Sequence, residues 1–574
     1  MCGLFLTTNQ TIQEETLQNA IKTLLMRGPN EQNFINSNNV IFGHSRLSIR
    51  DLSSSNARQP FTNKSLNITI IYNGELWNSR ELIEKLSLDK SNKYTEVELI
   101  IQVYKKYGTK GFNILEGMFA FCLFDLKINS IFLVRDHFGK KPLYFANSNN
   151  SFYAASLPST LFVLGVPKII KDSVIYEIAE SRHIYGGIYK NVMELQPGSF
   201  AQYSLNTGQV KLESYFKPHQ FVNENTFNQL SNSNSKEIKE VFTTLLQNAV
   251  SKRKCSEVES GVILSGGIDS SLISYFSKLN DSRTFLHLNS VDMSELSYAK
   301  EVASSLEGDL YSDYIDKNRF FANHIKTIKA WEYPLVHTNG VGIKLLAKFA
   351  KELGLKVLYG GEGADEIFGG YYYHRLSRMS SLIPKRLSSF VSTKSHLSEF
   401  ISTQIINNST AISNNKSNRL SNYHDCLGVY NEFLPKSESI PQALLLSELR
   451  DYLQPLLARA DRLMMSESIE LRMPFLDLDL ISFAVNLPLK YKMGLFSSKR
   501  ILREKCDELM PNINFKRRKI GFTLDYYKNW YEEYSKEPLD NVSMYFDCDN
   551  LISYYEKIKR YDILLRIASL SYLC

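Results

Sequence analysis

Ser265-Gly-Gly-Ile-Asp-Ser-Ser271 combines residue types that suit phosphate chemistry. Gly266 and Gly267 let the backbone turn sharply and bring N–H groups close to an anion. The apolar run Val262-Ile-Leu264 predicts a buried strand leading in, and a helix begins after the loop. The N-terminus of such a helix adds partial positive charge, and Ser265, Ser270 and Ser271 add hydroxyl donors. Asp269 is out of place at an anion site unless a divalent cation such as Mg2+ bridges it to the phosphates. The Gly-Lys-Ser/Thr ending of a Walker A loop is missing, so this is a different kind of phosphate loop. A plain Gly-rich turn with a capped helix is the simpler alternative for the string on its own. A second acidic turn, Gly360-Gly-Glu-Gly-Ala-Asp-Glu366, follows the short apolar run 356–359. Adjacent strand ends of a parallel sheet face one crevice, so Asp365 could share a cation with Asp269.

A nucleophile is available at the other end of the chain. With Met1 removed, Cys2 would offer a thiol and a free α-amine on one residue, and the amine could serve as base for the thiol. Asn73-Gly74-Glu75 follows the strand-like run Ile68–Tyr72, where an Asn amide and a Gly N–H could stabilise a tetrahedral oxyanion. Arg46, in Gly43-His-Ser-Arg-Leu-Ser-Ile49, could grip a carboxylate bidentately or merely form a surface ion pair.

The elements that must position these groups fall into two styles. Up to about residue 205 the sequence is strand-rich, with β-branched and aromatic runs at 40–42, 68–72, 119–124 and 131–134, and helical patterns at Glu14–Met26 and Glu96–Tyr107. This predicts an α+β layered domain over 2–205. Residues 221–236 are rich in Asn and Ser and predict a linker or surface loop. Over 237–574, helices alternate with short buried strands, as in an α/β doubly wound parallel sheet. A second Asn/Ser-rich stretch, 404–422, predicts a loop or insertion.

Bulk properties agree. A chain of 574 residues is too long for one ordinary core. The net charge of +7 is mild, and the densest basic run, Lys516–Lys519, has no interleaved aromatics, so nucleic acid is not the expected partner. Seven widely spaced cysteines with no C-x-x-C pair argue against a disulfide framework or zinc site and fit a reducing cytoplasm. Neither a membrane span nor a signal peptide is evident, and a cytoplasmic location is expected.

Taken together, the motifs resemble those of the glutamine-hydrolysing asparagine synthetase family. Met-Cys-Gly, Arg27-Gly-Pro29, Arg46-Leu-Ser-Ile49, Asn73-Gly-Glu75, Gly117–Phe121, Arg135-Asp136 with Lys141-Pro-Leu-Tyr144, the two glycine-rich loops, Leu471–Asp477 and Lys499–Arg503 occur in that family's order. The resemblance implies an N-terminal-nucleophile glutaminase sandwich (αββα) followed by an ATP pyrophosphatase domain. It implies that Cys2 attacks glutamine, that Asn73 and Gly74 form the oxyanion hole, and that Arg46, Glu75 and Glu96 hold the substrate. ATP would lie against Leu264, Ser265, Gly266, Gly267, Asp269, Ser270, Ser271, Gly360 and Gly361, with Mg2+ on Asp269 and Asp365. Lys499 and Glu362 would serve adenylation of a carboxylate, aspartate in the family. A homodimer is the candidate assembly.

Besides Leu157, which falls after Ala155-Ser156 where the family often has Glu, the chain departs from the family pattern in two places. Glu96 stands where the family has Asp beside the glutamine ammonium, and His337 stands where it has Asp near the acceptor pocket. The second departure keeps another carboxylate open as the acceptor: a peptide, a sugar acid or a natural-product precursor. His337 as an ordinary core histidine is the competing reading.

Overall fold

The computed structural model describes residues 2–50, 57–180, 186–254, 257–290, 295–381, 414–516 and 524–574. Cys255, residues 404–413 and Arg517–Lys519 of the basic run lie outside them.

Twelve strands form the N-terminal half. They are β1 (Cys2–Thr7), β2 (Glu31–Ser37), β3 (Val40–Arg46), β4 (Phe61–Asn63), β5 (Ile68–Leu76), β6 (Gly117–Asp125), β7 (Ser130–Arg135), β8 (Tyr144–Ser148), β9 (Ser151–Ala155), β10 (Met193–Glu194), β11 (Ser199–Ser204) and β12 (Val210–Ser214). They build two six-stranded antiparallel sheets, β10-β8-β9-β1-β3-β2 and β12-β11-β7-β6-β5-β4. Period-two alternation assigns each side chain to a layer. Leu4, Leu6 and Phe42 from one sheet meet Ile71, Cys122 and Leu133 from the other. Phe5 points the opposite way, onto Leu17, Ile21 and Leu24 of the helix Glu14–Leu24. Ile70, Phe119 and Phe121 cover Val97, Ile100 and Ile101 of the helix Glu96–Tyr107. That helix starts at a capping box in which Thr95 N–H donates to Glu98 Oε2 at 2.8 Å. The result is a helix–sheet–sheet–helix sandwich.

The C-terminal half is built on β13 (Ser260–Ile263), β14 (Thr284–Ser290), β15 (Asp309–Ile315), β16 (Val357–Tyr359) and β17 (Glu470–Arg472). All five are parallel, in the order β15-β14-β13-β16-β17. The winding direction reverses between β13 and β16, which opens a crevice at their carboxyl ends. The two glycine-rich loops follow these two strands.

Two expectations are corrected here. Residues 221–236 are not a linker: Glu224–Asn232 and Ser235–Lys252 are helices. Asn223 caps the first by accepting from Thr226 N–H at 2.9 Å, and Asn234 caps the second by accepting from Lys236 and Glu237 N–H at 3.0 Å. The Asn-rich composition is cap chemistry. Likewise 414–431 is helical, so the described part of the 404–422 stretch is not a loop.

The two halves share a buried, charged seam. Asp461, on the helix Leu453–Met465, sits between Arg27 at 2.9 Å and Lys141 at 3.0 Å, all almost wholly buried. Arg253 stacks on the Trp77 ring at 3.6 Å while bonding Asp477 at 2.9 Å. Lys140 donates to Gly117 O and Leu476 O, one on each side of the seam. Burial pushes the Asp461 carboxyl up, but Arg27 and Lys141 outweigh it and hold it below its usual range. Asp461→Ala leaves both cations buried without their partner, and equilibrium denaturation is expected to show a loss of about 3–5 kcal/mol. The lowered carboxyl gives its stabilisation above the ordinary carboxylate range and loses it as pH falls through the folded value. The variant is therefore expected to differ most from wild type near neutrality and least in acid.

Two candidate active sites

Cys2 opens β1, and β3 runs antiparallel beside it with Cys2 opposite Arg46 and Leu4 opposite His44. Directly opposed residues share a face, so Cys2, His44 and Arg46 all point into the mouth of the sandwich. Asn73 joins them from β5: its Oδ1 accepts from Cys2 N–H at 2.9 Å. That bond fixes the amide orientation, and Asn73 Nδ2 has no hydrogen-bond partner among the described residues. A buried donor aimed beside a thiol is suited to an oxyanion. Gly74 is required, because a Cβ there would collide with Met118 O and lie 2.7 Å from Phe119 Cα.

The Cys2 thiol is acidic. Burial alone would raise its pKa, yet the His44 ring, the positive amino terminus and a Leu47 backbone hydrogen bond bring it down to about 6. His44 is held by Tyr72 O, 3.1 Å from its Nε2. Arg27 Nε donates to Cys2 O at 3.2 Å and, through Asp461, ties the nucleophile to the other half of the chain.

A small cleft of about 60 Å³ opens over the thiol, lined by Cys2, Arg46, Gly74, Glu75 and Glu96, and also by Glu470 from β17. Its polar groups are mutually engaged. Arg46 donates to Glu31 at 3.2 Å and Arg50 O at 3.1 Å. Glu75 pairs with Arg50 at 2.5 Å and with Arg472. Glu96 Oε1 accepts from Leu76 N–H at 2.7 Å. Burial pushes the Glu75 carboxyl up against the pull of Arg472, whereas Glu470, 2.6 Å from the same guanidinium, is drawn down to about 2 despite its burial.

The second site lies at the sheet crevice. The loop after β13 is tied to itself: Gly267 N–H donates to Ser265 Oγ at 3.2 Å, and Ser270 Oγ donates to Gly267 O at 3.1 Å. Gly266 has φ +73°, and a Cβ there would lie 2.7 Å from Ala299 N. Leu264 is buried in the sheet; its N–H donates to Leu286 O at 2.8 Å, and its carbonyl meets His287 Nδ1 at 2.9 Å. Ser271 is a fully buried residue of the helix Ile268–Lys278. From the second loop, Gly361 brings its Cα so close that a Cβ would lie 3.0 Å from Asp269 Cβ. A Cβ at Gly360 would overlap the Glu362 carboxylate.

Lys499 completes the crevice. Its Nζ lies 2.6 Å from Asp269 and 2.5 Å from Asp365. Burial pulls the ammonium pKa down, but the two carboxylates outweigh it and hold it above the usual lysine range. Lys499 takes the left-handed conformation (φ +50°), a strained choice for a lysine that aims its side chain at both acids. Gly370 has no room for a Cβ between Asp365 and Lys499. Asp269 Oδ1 is buried with no hydrogen-bond partner among the described residues. Among those residues, no three acidic, His or Cys side chains could hold a metal by themselves. Two carboxylates sharing one cationic position still fit Mg2+, which takes one or two carboxylates plus phosphate oxygens and water.

Sequence reasoning brought Cys2 to Asn73 and Asp269 to Asp365, and the structure places both pairs together. It missed His44, Arg50 and Glu470. Alternation along β3 puts 44 on the same face as 46, a signal available in the sequence. Glu470 comes from the far end of the chain and carries no local signal. His337 precedes the helix Asn339–Glu352 and lines an open polar cleft with Lys528, Lys559 and Arg566. Among the described residues no helix is long and apolar enough to cross a membrane, and the six described cysteines are unpaired.

Residues 1–216 match the family model described as a glutamine amidotransferase domain, and residues 242–556 match the one described as asparagine synthase. Sandwich and parallel sheet thus make an ATP-dependent amidotransferase ligase. The chain belongs to the asparagine synthase family. The glutamine-hydrolysing asparagine synthetases 1 and 3 of Bacillus subtilis strain 168 are each 27% identical to it. Each alignment covers 92% of this chain, with 87% and 86% of the respective relative.

The lowered thiol has a direct readout. Alkylation of Cys2 by iodoacetamide is expected to rise with pH through a midpoint near 6. In His44→Gln the midpoint moves up, because the ring's electrostatic pull on the thiolate is lost. An unmoved midpoint would show that His44 does not tune the thiol.

Proposed function

We propose that the chain is a glutamine-dependent asparagine synthetase. It takes ammonia from glutamine, activates a carboxylate with ATP, and joins the two with release of AMP and pyrophosphate. The observation that carries this reading is Lys499 bridging Asp269 and Asp365 at the switch point of the sheet.

In the first half, the Cys2 thiolate attacks the side-chain amide carbon of glutamine. Asn73 Nδ2 and the Gly74 N–H take the developing oxyanion. The carbon–nitrogen bond breaks, ammonia leaves with a proton, and water returns the thioester to glutamate. Arg46, Glu75 and Glu96 border the bound amino acid.

In the second half, a carboxylate is a poor electrophile because its leaving group would be oxide. Its oxygen attacks the α-phosphorus of ATP, pyrophosphate departs, and ammonia then displaces AMP from the acyl carbon. Ser265–Ser271 and Gly361 face the phosphates, Gly360 is held in place by its N–H bond to Arg472 O, and Lys499 offsets charge growing on the phosphates. Two carboxylates against one ammonium leave the crevice at −1, which repels polyphosphate. Mg2+ on Asp269 and Asp365 would reverse that sign and neutralise the departing pyrophosphate. Glu362 matches the glutamate that the family places at the acyl-adenylate and would act there.

Aspartate is the acceptor favoured by the family. The open polar cleft at His337, with Arg566 and Lys528 on its walls, supports a second reading in which the same chemistry acts on another carboxylate.

The test is pyrophosphate release with ATP and a panel of carboxylates, aspartate first, using glutamine or ammonium as nitrogen donor. Cys2→Ala is expected to lose glutamine-dependent turnover and keep the ammonium-dependent rate. Asp269→Asn is expected to lose both by at least about 100-fold. Full glutaminase activity in the first variant, or unchanged pyrophosphate release in the second, counts against the assignment of that site.

A further inference from the structure

The head group of an amino acid carries one cation and one anion. In the cleft over Cys2, Glu75 and Glu96 are carboxylates that could meet the first, and Arg46 is a guanidinium that could meet the second. Glu470, the remaining carboxylate of the wall, is held by Arg472 at 2.6 Å. Glu75, Glu96 and Arg46 are all engaged by a single residue, Arg50. Its Nε lies 2.5 Å from Glu75 Oε1, and its Nη1 lies 3.8 Å from Glu96 Oε1. Its carbonyl accepts from Arg46 Nη2 at 3.1 Å. Residue 50 therefore sets a cation against two carboxylates and a carbonyl oxygen against a guanidinium. That is the charge pattern of an amino-acid head group.

Burial explains why a stand-in is needed. Glu75 is 3% exposed, and a buried carboxylate is costly unless cations meet it. Arg472 meets it from the other half of the chain, and Arg50 meets it from the cleft. The two cations differ in freedom. Arg472 is fully buried, whereas the Arg50 side chain is 33% exposed. Arg50 can thus turn into water without opening a core. Until it does, the space over the thiol is about 60 Å³, room for a few waters at roughly 10–15 Å³ each and too little for glutamine.

We infer that Arg50 impersonates the head group of glutamine in the empty cleft, and that glutamine enters by displacing its guanidinium from Glu75 and Glu96. The inference rests on reading this cleft as the glutamine site. Glutamine affinity is then reduced by the fraction of molecules in which Arg50 holds its place. The side chain governs the ammonium half of the subsite alone, because the carbonyl that Arg46 holds belongs to the main chain.

The test is titration calorimetry on the full chain carrying Cys2→Ala, which stops turnover, with Arg50 intact, Arg50→Met or Arg50→Lys. The ligands are glutamine and glutaramate, which is glutamine without its α-amino group. Arg50→Met is expected to bind glutamine about tenfold more tightly. Glutaramate has no ammonium to compete for the two carboxylates, so its affinity is expected to change less than about twofold. Arg50→Lys keeps a cation without the fork and is expected to gain about threefold for glutamine; it carries the test should the Met variant fail to fold. Unchanged glutamine affinity, equal tightening of both ligands, or weakening of both overturns the inference. A lower melting temperature with unchanged affinities makes Arg50 structural and overturns it as well. If the chain with Arg50 intact binds no glutamine, and the Cys2 enzyme hydrolyses none, the glutamine reading itself has failed and the role of Arg50 falls with it.

Discussion

Arg472 is fully buried, and a buried guanidinium must be met on every side. Its Nε donates to Glu470 Oε1 at 2.6 Å, another nitrogen donates to Arg253 O, and a third pairs with Glu75 of the opposite half. Its backbone carbonyl accepts from Gly360 N–H at 2.9 Å, at the threshold of the second glycine-rich loop. One residue thus holds the floor of the glutamine cleft with its side chain and the rim of the phosphate crevice with its main chain. A shift of the sandwich against the sheet would strip a carboxylate from a buried cation, at several kcal/mol. The register between the two chemistries is set by this need for satisfaction more than by apolar contact, which is non-directional.

The same logic explains how much of the molecule could be read in its sequence. Local strings were legible because their chemistry is local. Ser265–Ser271 follows a short apolar strand, and the alternation in β5 and β6 sorts inner from outer side chains without any partner being known. Asp269 and Asp365 were legible as a pair because adjacent strand ends of a parallel sheet share a crevice; a partner arriving from a distant helix was not. Lys499 meets Asp269 across 230 positions, reaching it from the start of the helix Arg500–Leu509. Lys499 entered through family resemblance, since no pattern around it marks a lysine that must adopt a left-handed backbone. Asn-rich segments misled for a physical reason. Asn disfavours helix interiors and favours their first caps, so composition reads as loop where Asn223 and Asn234 start helices.

The helix Leu453–Met465 carries this reasoning furthest. Arg459 lies within electrostatic reach of Glu362 in the second glycine-rich loop, Asp461 reaches Arg27 and through it the carbonyl of Cys2, and Arg462 donates to Trp331 O. From Arg459 to Arg462 the axial rise is only about 4.5 Å. Because Asp461 and both of its cations are buried, sliding that helix means breaking a buried ion triad. The two sites are thus braced against each other through one element. In such an arrangement, cooperation between glutamine cleavage and carboxylate activation has to come from small repacking around these buried charges.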